Sequence, residues 1–543
     1  MLLLLLVPVF TNAQELPDSI TKKIDAVFKN YTATTPGYAV AVMQNGQLVF
    51  QKGYGQANLE YNIPITPSTI FHIASESKQY TAFCMLLLEK EGKLSLDEDI
   101  RKYLDFLPDF GKKITIRHLV YHTSGLRDQW QLLANAGWQL DDVITQEHVI
   151  KLVSKQKALN FNPGDEHMYC NTGYTLMAEI VKKVSGLSLR EYADKNIFKP
   201  LGMTSTHFHD NYQELVPGRA YSYFPAFGNR YEHAVLSYSI VGATSLFTTV
   251  TDEIKWLQNY ETGAVGGKDL IEKMYQLGVL NDGRKLSYAF GINIDRYKDW
   301  QRIGHGGADA GYRTYACRIP EKQLGIVIFS NLGTANTIEM ANLVAGIFIT
   351  GNKVVPVKDD PAYITDSSFL KKLNGKYYSD RGNLTECIWK DGKLLRRLTG
   401  NNNEIKLSVA GPNRYQIQGG GIIILNEKNK RADSILEFTI ENTNSSIRFK
   451  RQPAVPQKVT AEFAGRYYGA ETEAFYEITE KDGQLSLHHR KFSTVPLKNI
   501  APDQFTLPLW WMDHIRFIRN KQNKIIAFEV NSGRILHLRY DRM

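Results

Sequence analysis

The stretch Ile73-Ala-Ser75-Glu-Ser77-Lys78 places a serine and a lysine three residues apart, where an extended segment gives way to an apolar helix predicted over 78–91. Residues three apart at a helix start lie on one face, so the Lys78 amine can reach the Ser75 hydroxyl. Backbone N–H groups at that helix end stabilise negative charge that develops in acyl transfer. The pattern predicts a nucleophile at Ser75. The alternative is a helix cap at Ser75 or Ser77 beside a solvated lysine.

A second motif, Tyr169-Cys-Asn171, lies in a loop before a helix predicted over 172–185. Tyr169 and Asn171 are separated by one residue and project the same way. A phenol next to a lysine can carry a proton, because a nearby ammonium favours its ionised form. The Asn171 amide both donates and accepts, so it can hold a substrate amide and orient the lysine. Alone, the motif is equally typical of a turn with a half-buried tyrosine.

The third motif, Gly304-His305-Gly306-Gly307-Ala308, follows a segment with strand character at 288–294. Glycines on such a strand let another backbone or a ligand approach closely. An extended substrate that pairs with this edge would find the backbone N–H of Ala308 and that of Ser75 placed as an oxyanion hole. A His-Gly-Gly triplet without such company is more typical of a turn. No GxSxG elbow, HExxH, Walker loop or dinucleotide fingerprint competes with this set.

Taken in order, the three motifs resemble the Ser-x-x-Lys, Tyr-x-Asn and Lys/His-x-Gly triplet of the serine β-lactamase and DD-peptidase superfamily. Two more phrases are similar to that family: Leu119–Leu126, as Leu-x-x-His-Thr-Ser-Gly-Leu, and Pro200–Met203, as Pro-Leu-Gly-Met. The resemblance covers about 25–350. It implies an α/β (α+β) serine hydrolase domain, expected over 20–350, with an antiparallel sheet flanked by helices. A hairpin predicted around Asn45-Gly46 agrees with this class.

The resemblance also implies a mechanism at the matching positions. Ser75 attacks a carbonyl while Lys78 and Tyr169 manage its proton, and water later releases the acyl-enzyme. Asn171 and the strand that bears His305 and Gly307 hold the substrate, and no metal or cofactor takes part.

Two departures separate this chain from the β-lactamases. Position 305 holds histidine where those enzymes carry lysine, and the family phrase Gly-x-Gly-Gly-Leu is altered to Gly242–Leu246, Gly-Ala-Thr-Ser-Leu. An ordinary imidazole titrates near pH ~6.5, so activity is expected to change over roughly pH 5.5 to 7.5, with neutral His305 as the working form. The His-x-Gly variant is similar to D-aminopeptidases, certain esterases and β-lactamase-related proteins of unassigned substrate.

Short strands and turns dominate the sequence after about residue 350. A linker is predicted over 351–368. Beyond it Leu373–Tyr378 recurs as Phe463–Tyr468, and an Asp-Gly turn follows each copy. We expect an all-β, barrel-like region of two repeats, 369–455 and 456–543, which form either two small barrels or one larger one. This plan looks like that of the D-aminopeptidases, and we expect the region to fold separately and to have no catalytic role of its own.

The first ten residues, Met1–Phe10, are an apolar run that is too short to span a bilayer, which needs roughly 20 residues. Ala13 before Gln14 suits signal-peptidase cleavage, so a signal peptide is predicted over 1–13. We expect an exported protein, periplasmic or secreted. A retained apolar anchor is the alternative, and contact with a membrane is expected only through such an unremoved segment.

Composition excludes several classes of function. With 543 residues, 43% hydrophobic and 22% charged, the chain is typical of a globular protein of two to four domains. The net charge of +9 comes from basic residues interleaved with 56 acids, which does not favour nucleic-acid binding. The four cysteines lack metal-like spacing, and their pairing is left open: Cys84, Cys170, Cys317 and Cys387.

The function that these patterns favour is an active-site-serine hydrolase of small peptides or amides, including D-amino-acid-containing and peptidoglycan-derived ones. An esterase or a weak β-lactamase is the alternative among enzymes. A penicillin-binding or peptidoglycan-sensing protein that acylates with little turnover is the alternative from another class. A third reading makes the β-rich region an interaction module beside a degenerate catalytic part. The oligomeric state does not follow from the sequence.

Overall fold

The structure is a computed structural model that describes residues 16–228, 230–349, 371–379, 381–398, 404–411, 414–417, 422–425, 435–441, 446–452 and 460–543. The signal peptide predicted over 1–13 and the linker predicted over 351–368 lie outside these residues. Within the described ranges, no helix combines the length and the apolar character that crossing a membrane requires.

Ten α-helices are described with both of their ends in the first 350 positions. They are α1 (Asp18–Phe28), α2 (Ser77–Lys90), α3 (Ile116–Val120), α4 (Gln129–Asn135), α5 (Gln146–Val153), α6 (Asn171–Ser185), α7 (Leu189–Ala193), α8 (Val250–Thr262), α9 (Gly267–Met274) and α10 (Thr337–Phe348). The helices predicted over 78–91 and 172–185 are therefore confirmed as α2 and α6.

The strands of the same part of the chain are β1 (Tyr38–Gln44), β2 (Gln47–Tyr54), β3 (Gln56–Asn58), β4 (Ile63–Pro64), β5 (Phe71–His72), β6 (Ile144–Thr145), β7 (His207–Phe208), β8 (Tyr223–Ala226), β9 (Arg230–His233), β10 (Tyr238–Ser239), β11 (Leu246–Thr248), β12 (Asn293–Tyr297), β13 (Trp300–Asp309), β14 (Tyr312–Ile319) and β15 (Leu324–Ser330).

Six of these strands form one antiparallel sheet in the order β12-β13-β14-β15-β1-β2. Strand β1 pairs with β2 across the predicted Asn45-Gly46 turn and with β15 on its other side, so the two ends of the catalytic region meet in the centre of the sheet. The α/β class with an antiparallel sheet built from both ends is confirmed.

The hydrophobic core of this sheet fixes its orientation. Along β1, alternate side chains such as Val40 and Val42 point to the face covered by α1 and α10, where Phe28 and Val344 are fully buried. The residues between them point to the other face, where α8 packs against β1 and β15. Because both faces are covered, β1 and β15 are apolar almost throughout.

The segment predicted to be a strand over 288–294 is mostly irregular, and β12 begins only at Asn293. Gly291 has a φ of +71°, and a Cβ there would stand 2.5 Å from the backbone nitrogen of Gln79. This glycine therefore lets the backbone of α2 approach closely. The sequence predicted that glycines in this segment admit either another backbone or a ligand, and at Gly291 it is a backbone. The strand that follows, β13, carries the His-Gly-Gly triplet in the middle of its length and not in a turn.

The all-β region forms two closed eight-stranded barrels, which decides between the two arrangements that the sequence left open. The first contains β16 (Gly375–Ser379), β17 (Leu384–Lys390), β18 (Lys393–Leu398), β19 (Glu404–Gly411), β20 (Arg414–Ile417), β21 (Ile422–Leu425), β22 (Glu437–Glu441) and β23 (Ser446–Arg451). The second contains β24 (Gly465–Gly469), β25 (Ala474–Lys481), β26 (Gln484–His489), β27 (Phe492–Ala501), β28 (Gln504–Thr506), β29 (His514–Arg519), β30 (Ile525–Ser532) and β31 (Ile535–Arg542).

The repeated motif has a structural cause that is the same in both barrels. Tyr377 and Tyr467 are fully buried, and each hydroxyl donates to the carbonyl four residues earlier, that of Leu373 or Phe463. The motif therefore closes the start of each barrel.

The described residues fall into two compact units. The first unit contains 16–93, 181–276 and 288–349, and the second contains 94–180, 277–287 and the described residues from 371 onward. The segment 94–180 thus belongs with the barrels and not with the six-stranded sheet.

Candidate active site

Ser75 lies in the first unit, in a 3₁₀ turn, Ala74–Glu76, that runs directly into α2. Ala74 has a φ of +49°, which is unusual for a residue with a side chain and typical of strain held at a functional site. The Ser77 hydroxyl holds the turn, since it donates to the Ala74 carbonyl at 2.6 Å. Ser77 is thus a support for the turn, and Ser75 is placed at the start of the helix.

Lys78 is fully buried, and its Nζ lies 3.0 Å from the Ser75 Oγ. The ammonium also donates to the carbonyl of Ala243 at 2.7 Å. A buried lysine held by two oxygens is not the solvated helix residue of the alternative interpretation. The predicted contact between the Lys78 amine and the Ser75 hydroxyl is present.

The altered family phrase at 242–246 packs against the same helix. The Gly242 carbonyl accepts from Thr81, and the backbone N–H of Leu246 donates to Ser77 at 3.0 Å. Together with the bond from Lys78 to Ala243, these contacts tie the segment to α2 at three points. The segment 242–246, with Thr-Ser in place of Gly-Gly, therefore forms a wall of the site beside the helix that begins after Ser75.

Strand β13 approaches the serine turn through Gly307. A Cβ at this position would lie 2.2 Å from the Ile73 carbonyl oxygen, so only glycine fits. Strand β12 pairs with β13 only up to Gly304, which leaves 305–309 paired with β14 on one side alone. The edge that contains Ala308 is thereby placed beside the turn that contains Ser75, as the predicted oxyanion hole requires.

His305 is buried, and both ring nitrogens have hydrogen-bond partners. Nδ1 lies 2.6 Å from the Gly306 carbonyl, which can only accept, so Nδ1 carries the proton. Nε2 then accepts from the Tyr288 hydroxyl at 3.2 Å. Burial, with a smaller contribution from the Lys78 ammonium, lowers the pKa of His305 to about 3. The neutral form that the sequence suggested is confirmed in direction, but the expected titration over pH 5.5 to 7.5 is wrong because the imidazole is buried.

Three residues that the sequence did not single out hold the serine turn from behind. Thr244 donates to the carboxylate of Asp309, and its Oγ lies 3.3 Å from Nε2 of His72. Nδ1 of His72 in turn accepts from the backbone N–H of Ala74 at 3.2 Å. Burial is the main cause that keeps the pKa of His72 well below its usual value. This series of hydrogen bonds, from Asp309 through Thr244 and His72, fixes Ala74, the strained residue before Ser75.

Asn171 lies in the second unit, where Asp128 orients it. Both the backbone N–H and the Nδ2 of Asn171 donate to the same oxygen of Asp128, at 2.7 and 2.8 Å. The other oxygen of Asp128 caps α4 by accepting from Trp130 at 3.0 Å. The carboxylate therefore determines which end of the Asn171 amide is the donor.

Tyr169 lies between the side chains of His122 and Arg534, which belong to the same unit. The imidazole of His122 lies 4.2 Å from the Tyr169 ring, centre to centre, and the guanidinium carbon of Arg534 lies 4.6 Å from the ring centre. His122 is fixed because its Nδ1 accepts from the backbone N–H of Cys170 at 3.0 Å. The histidine of the His-Thr-Ser-Gly phrase thus supports the tyrosine.

Arg534 comes from the second barrel, in the two-residue turn between β30 and β31. Its backbone N–H donates to Gln131 at 2.6 Å, and its carbonyl accepts from Asn160 at 3.0 Å. Its guanidinium also lies 3.8 Å from Asp128. A barrel turn therefore contacts Tyr169 and also Asp128, the residue that orients Asn171.

The structure thus places the predicted residues in two groups. Ser75, Lys78, His305, Gly307 and Ala308 lie in the first unit, and the first two are in hydrogen-bond contact. Tyr169 and Asn171 lie in the second unit, two residues apart at the start of α6. Sequence reasoning missed the supports of both groups: His72, Thr244, Asp309, Asp128 and Arg534. Asp128 was within reach, because it lies three residues after Gly125, the last residue of the His-Thr-Ser-Gly phrase.

Comparison with known proteins identifies the family to which the first 350 residues are similar. A family model described as Beta-lactamase matches residues 24–345. Among curated relatives, a D-aminopeptidase of Brucella melitensis biotype 2 is 26% identical over 499 residues, which cover 90% of each chain. A D-aminopeptidase of Gluconobacter oxydans is 25% identical over 457 residues, 83% of each chain. These alignments extend well past residue 345, into the region of the barrels.

Solved structures show the same fold. The octameric penicillin-binding protein homologue from Pyrococcus abyssi aligns with a TM-score of 0.55 and 24% identity, over 88% of this chain and 99% of that one. A D-amino acid amidase from Ochrobactrum anthropi SV3 aligns with a TM-score of 0.51 and 21% identity, over 61% of this chain and 98% of its own.

Proposed function

Because the chain belongs to the β-lactamase family of serine hydrolases, we propose that it is an exported D-aminopeptidase or D-amino acid amidase that works through an acyl-enzyme on Ser75. The single observation that carries the proposal is the contact of 3.0 Å between the Lys78 Nζ and the Ser75 Oγ. A buried amine at this distance is the arrangement that activates a hydroxyl for attack on a carbonyl.

The reaction divides into two steps that share the same groups. In the first, the Ser75 Oγ bonds to the substrate carbonyl carbon while its proton passes to Lys78, which takes part as the neutral amine. The C–N bond then breaks, and the amine leaves with the proton that Lys78 took up; the family resemblance gives Tyr169 a proton-carrying role as well. In the second step water adds to the acyl carbon and gives its proton back along the same route, which frees the acid and restores Ser75. The backbone N–H groups of Ser75 and Ala308 stabilise the oxyanion in both steps.

The third motif supports a substrate without a carboxylate at this point of the site. Lysine in that motif would offer a fixed positive charge, whereas His305 is neutral at physiological pH because it is buried. Attraction for the carboxylate of a penicillin is correspondingly weaker. The D-aminopeptidase relatives align over both the catalytic region and the barrels, which supports a substrate with a free amino group and a D-residue. Peptidoglycan-derived peptides are one source of such residues.

A panel of chromogenic substrates tests the proposal. We expect D-alanine p-nitroanilide to be hydrolysed with a kcat/KM about 100-fold above that of its L-enantiomer, and N-acetylation of the amine to abolish turnover. Nitrocefin and p-nitrophenyl acetate separate the β-lactamase and the esterase from the aminopeptidase. A burst of nitroaniline equal to the enzyme concentration, with no steady rate after it, would instead identify a protein that acylates without turnover.

Export is the second part of the proposal, and the apolar run before Ala13 supports it. In a Gram-negative host, we expect the full chain to appear in the periplasmic fraction and its N-terminal residue to be Gln14. An intact Met1 in the membrane fraction would show that the apolar run is kept as an anchor.

A further inference from the structure

Two histidines outside the active site share one side of a short strand. His207 lies in β7, and the pairing with β11 continues past Phe208, because the backbone N–H of His209 donates to Ser245 at 2.8 Å. Side chains alternate along a strand, so His207 and His209 point the same way while Phe208 points into the core, where it is fully buried. This alternation brings two imidazoles together at the edge of the small sheet β5-β11-β7.

The carboxylate of Glu214 completes a group of three. Nε2 of His207 lies 3.4 Å from Nδ1 of His209, which lies 3.8 Å from Oε2 of Glu214, and the three ligand atoms are all within 4.8 Å of one another. Ligand atoms at about 2.1 Å from a tetrahedral Zn²⁺ are ~3.4 Å apart along an edge of the tetrahedron. The two histidines therefore already have the required spacing, and a small movement of the carboxylate towards them completes the group.

A second set of residues fixes the carboxylate. Both oxygens of Glu214 accept from the guanidinium of Arg190, at 2.5 and 2.8 Å, and Arg190 also binds Asp210 at 3.0 Å. Carboxylates that ligate metals are commonly held by such outer hydrogen bonds, and each oxygen keeps a second lone pair for the ion. The Arg190 charge opposes a cation, but Asp210 offsets it.

The two histidines offer imidazole nitrogens, which are the commonest metal ligands in proteins. Within the described residues, no other group of histidines, cysteines and carboxylates has ligand atoms at comparable spacing.

We propose that His207, His209 and Glu214 bind one divalent transition-metal ion, for which Zn²⁺ is the best match, with the fourth position left to water. Two imidazoles and one carboxylate are borderline ligands that suit Zn²⁺ and Co²⁺ and disfavour Mg²⁺ and Ca²⁺. The site is separate from the serine chemistry and does not rest on the proposed substrate.

The ion would stabilise the wall of the active site. β7 pairs with β11, which starts at Leu246, next to the segment that accepts the Lys78 ammonium at Ala243. The ring of His209 also packs against Phe247 of β11, 4.7 Å between centres. A metal that fixes β7 therefore holds β11 in place, and we expect bound Zn²⁺ to raise the melting temperature by several degrees, as binding to the folded state alone requires.

The test uses the full chain without a histidine tag, stripped with EDTA and dialysed. Titration with ZnCl₂ in a calorimeter should show one ion per chain. His209→Ala should weaken binding by about 100-fold or more, because it removes a ligand. His233→Ala is the matched control: this histidine is exposed and stacks on Tyr221, so its loss should leave the affinity unchanged. Co²⁺ should give the intense visible absorption of a tetrahedral site.

Three outcomes decide the proposal. Absence of saturable binding, or equal affinity in His209→Ala and the unchanged chain, would overturn it. If His209→Ala fails to fold, Glu214→Gln takes its place, because the Glu214 side chain is partly exposed and the amide keeps its shape; unchanged Zn²⁺ affinity in that variant would overturn the proposal equally. Loss of one ion per chain in either variant, with the His233→Ala control intact, would support it.

Discussion

The guanidinium of Arg534 lies over the ring of Tyr169, 4.6 Å from its centre, although Arg534 belongs to the last hairpin of the second barrel. The same guanidinium is 3.8 Å from Asp128, which orients Asn171. Arg534 thus contacts Tyr169, the first residue of the Tyr-x-Asn motif, and Asp128, which orients Asn171, the second. The barrel is therefore part of the machinery that positions the second motif.

Arg534→Gln should lower kcat/KM by about tenfold, because a cation over an aromatic ring contributes on the order of 1 kcal/mol and holds the ring in place. The free energy of unfolding should change little, since the backbone contacts of residue 534 remain. Steady-state kinetics on the substrate panel measure the effect. Arg539→Gln is the matched control, as this arginine lies on β31 and pairs only with Asp541 at 2.7 Å. Equal losses in the two variants would remove Arg534 from the site.

Ser75→Ala should abolish covalent labelling by a fluorophosphonate and all turnover, with circular dichroism unchanged, because the hydroxyl is the acyl acceptor.

Lys78→Ala should reduce the acylation rate by roughly 1,000-fold or more, since the base 3.0 Å away is lost. The exposed Ser68→Ala serves as the control. Labelling that persists at another serine would refute the assignment of Ser75, and a loss below tenfold for Lys78→Ala would make the lysine a structural residue.

The motifs that were readable from the sequence are those in which neighbouring residues do the work. Ser75 and Lys78 are one helical turn apart, and Tyr169 and Asn171 are two residues apart, so spacing alone predicts their common face. The sheet was readable for the same reason, because Asn45-Gly46 makes a hairpin of β1 and β2. The twofold repeat predicted β-structure. The buried tyrosine of each copy, Tyr377 or Tyr467, explains why the motif recurs at the start of each barrel.

The rest depends on contacts between distant segments. Nothing near Arg534 in the sequence points to Tyr169, and His72 is linked to Asp309 through Thr244, which comes from a third segment. The pKa of His305 was misjudged because an unperturbed value applies to an exposed imidazole, whereas this one is buried. Burial is a property of the folded chain, and no local sequence pattern around residue 305 indicated that the imidazole is buried.

His305 should not titrate in the range where enzymes of this kind are assayed. Its folded-state pKa of about 3 lies below the ordinary value of ~6.5, so the imidazole stays neutral from pH 5.5 to 7.5 and gains a proton only as the pH falls towards 3. The profile of kcat/KM against pH should therefore have the same shape for the unchanged chain and for His305→Gln across that range. A limb near pH 6.5 that disappears in His305→Gln would show that the imidazole is solvated in the working enzyme.

The buried ion pair between Arg127 and Glu471 predicts how strongly the second barrel depends on the segment before it. The Arg127 guanidinium is fully buried and donates to Glu471 at 2.5 Å, and also to the carbonyls of Leu536 and His537 in the barrel. Burial lowers the pKa of Arg127 and raises that of Glu471, and each partner counters the effect on the other. The pair is stable only while both charges are present.

Glu471→Gln should therefore destabilise the full chain by about 3 kcal/mol, because it leaves a buried guanidinium without a counter-ion. Urea denaturation followed by tryptophan fluorescence measures the loss. Glu473→Gln is the matched control from the same turn: its carboxylate is half exposed and pairs with Lys155, so its removal should cost less than about 1 kcal/mol. The same pair argues against a barrel that folds separately, since a fragment of residues 360–543 lacks Arg127. If that fragment were as resistant to urea as the barrel in the full chain, and Glu471→Gln were as mild as Glu473→Gln, the second barrel would be an independent domain after all.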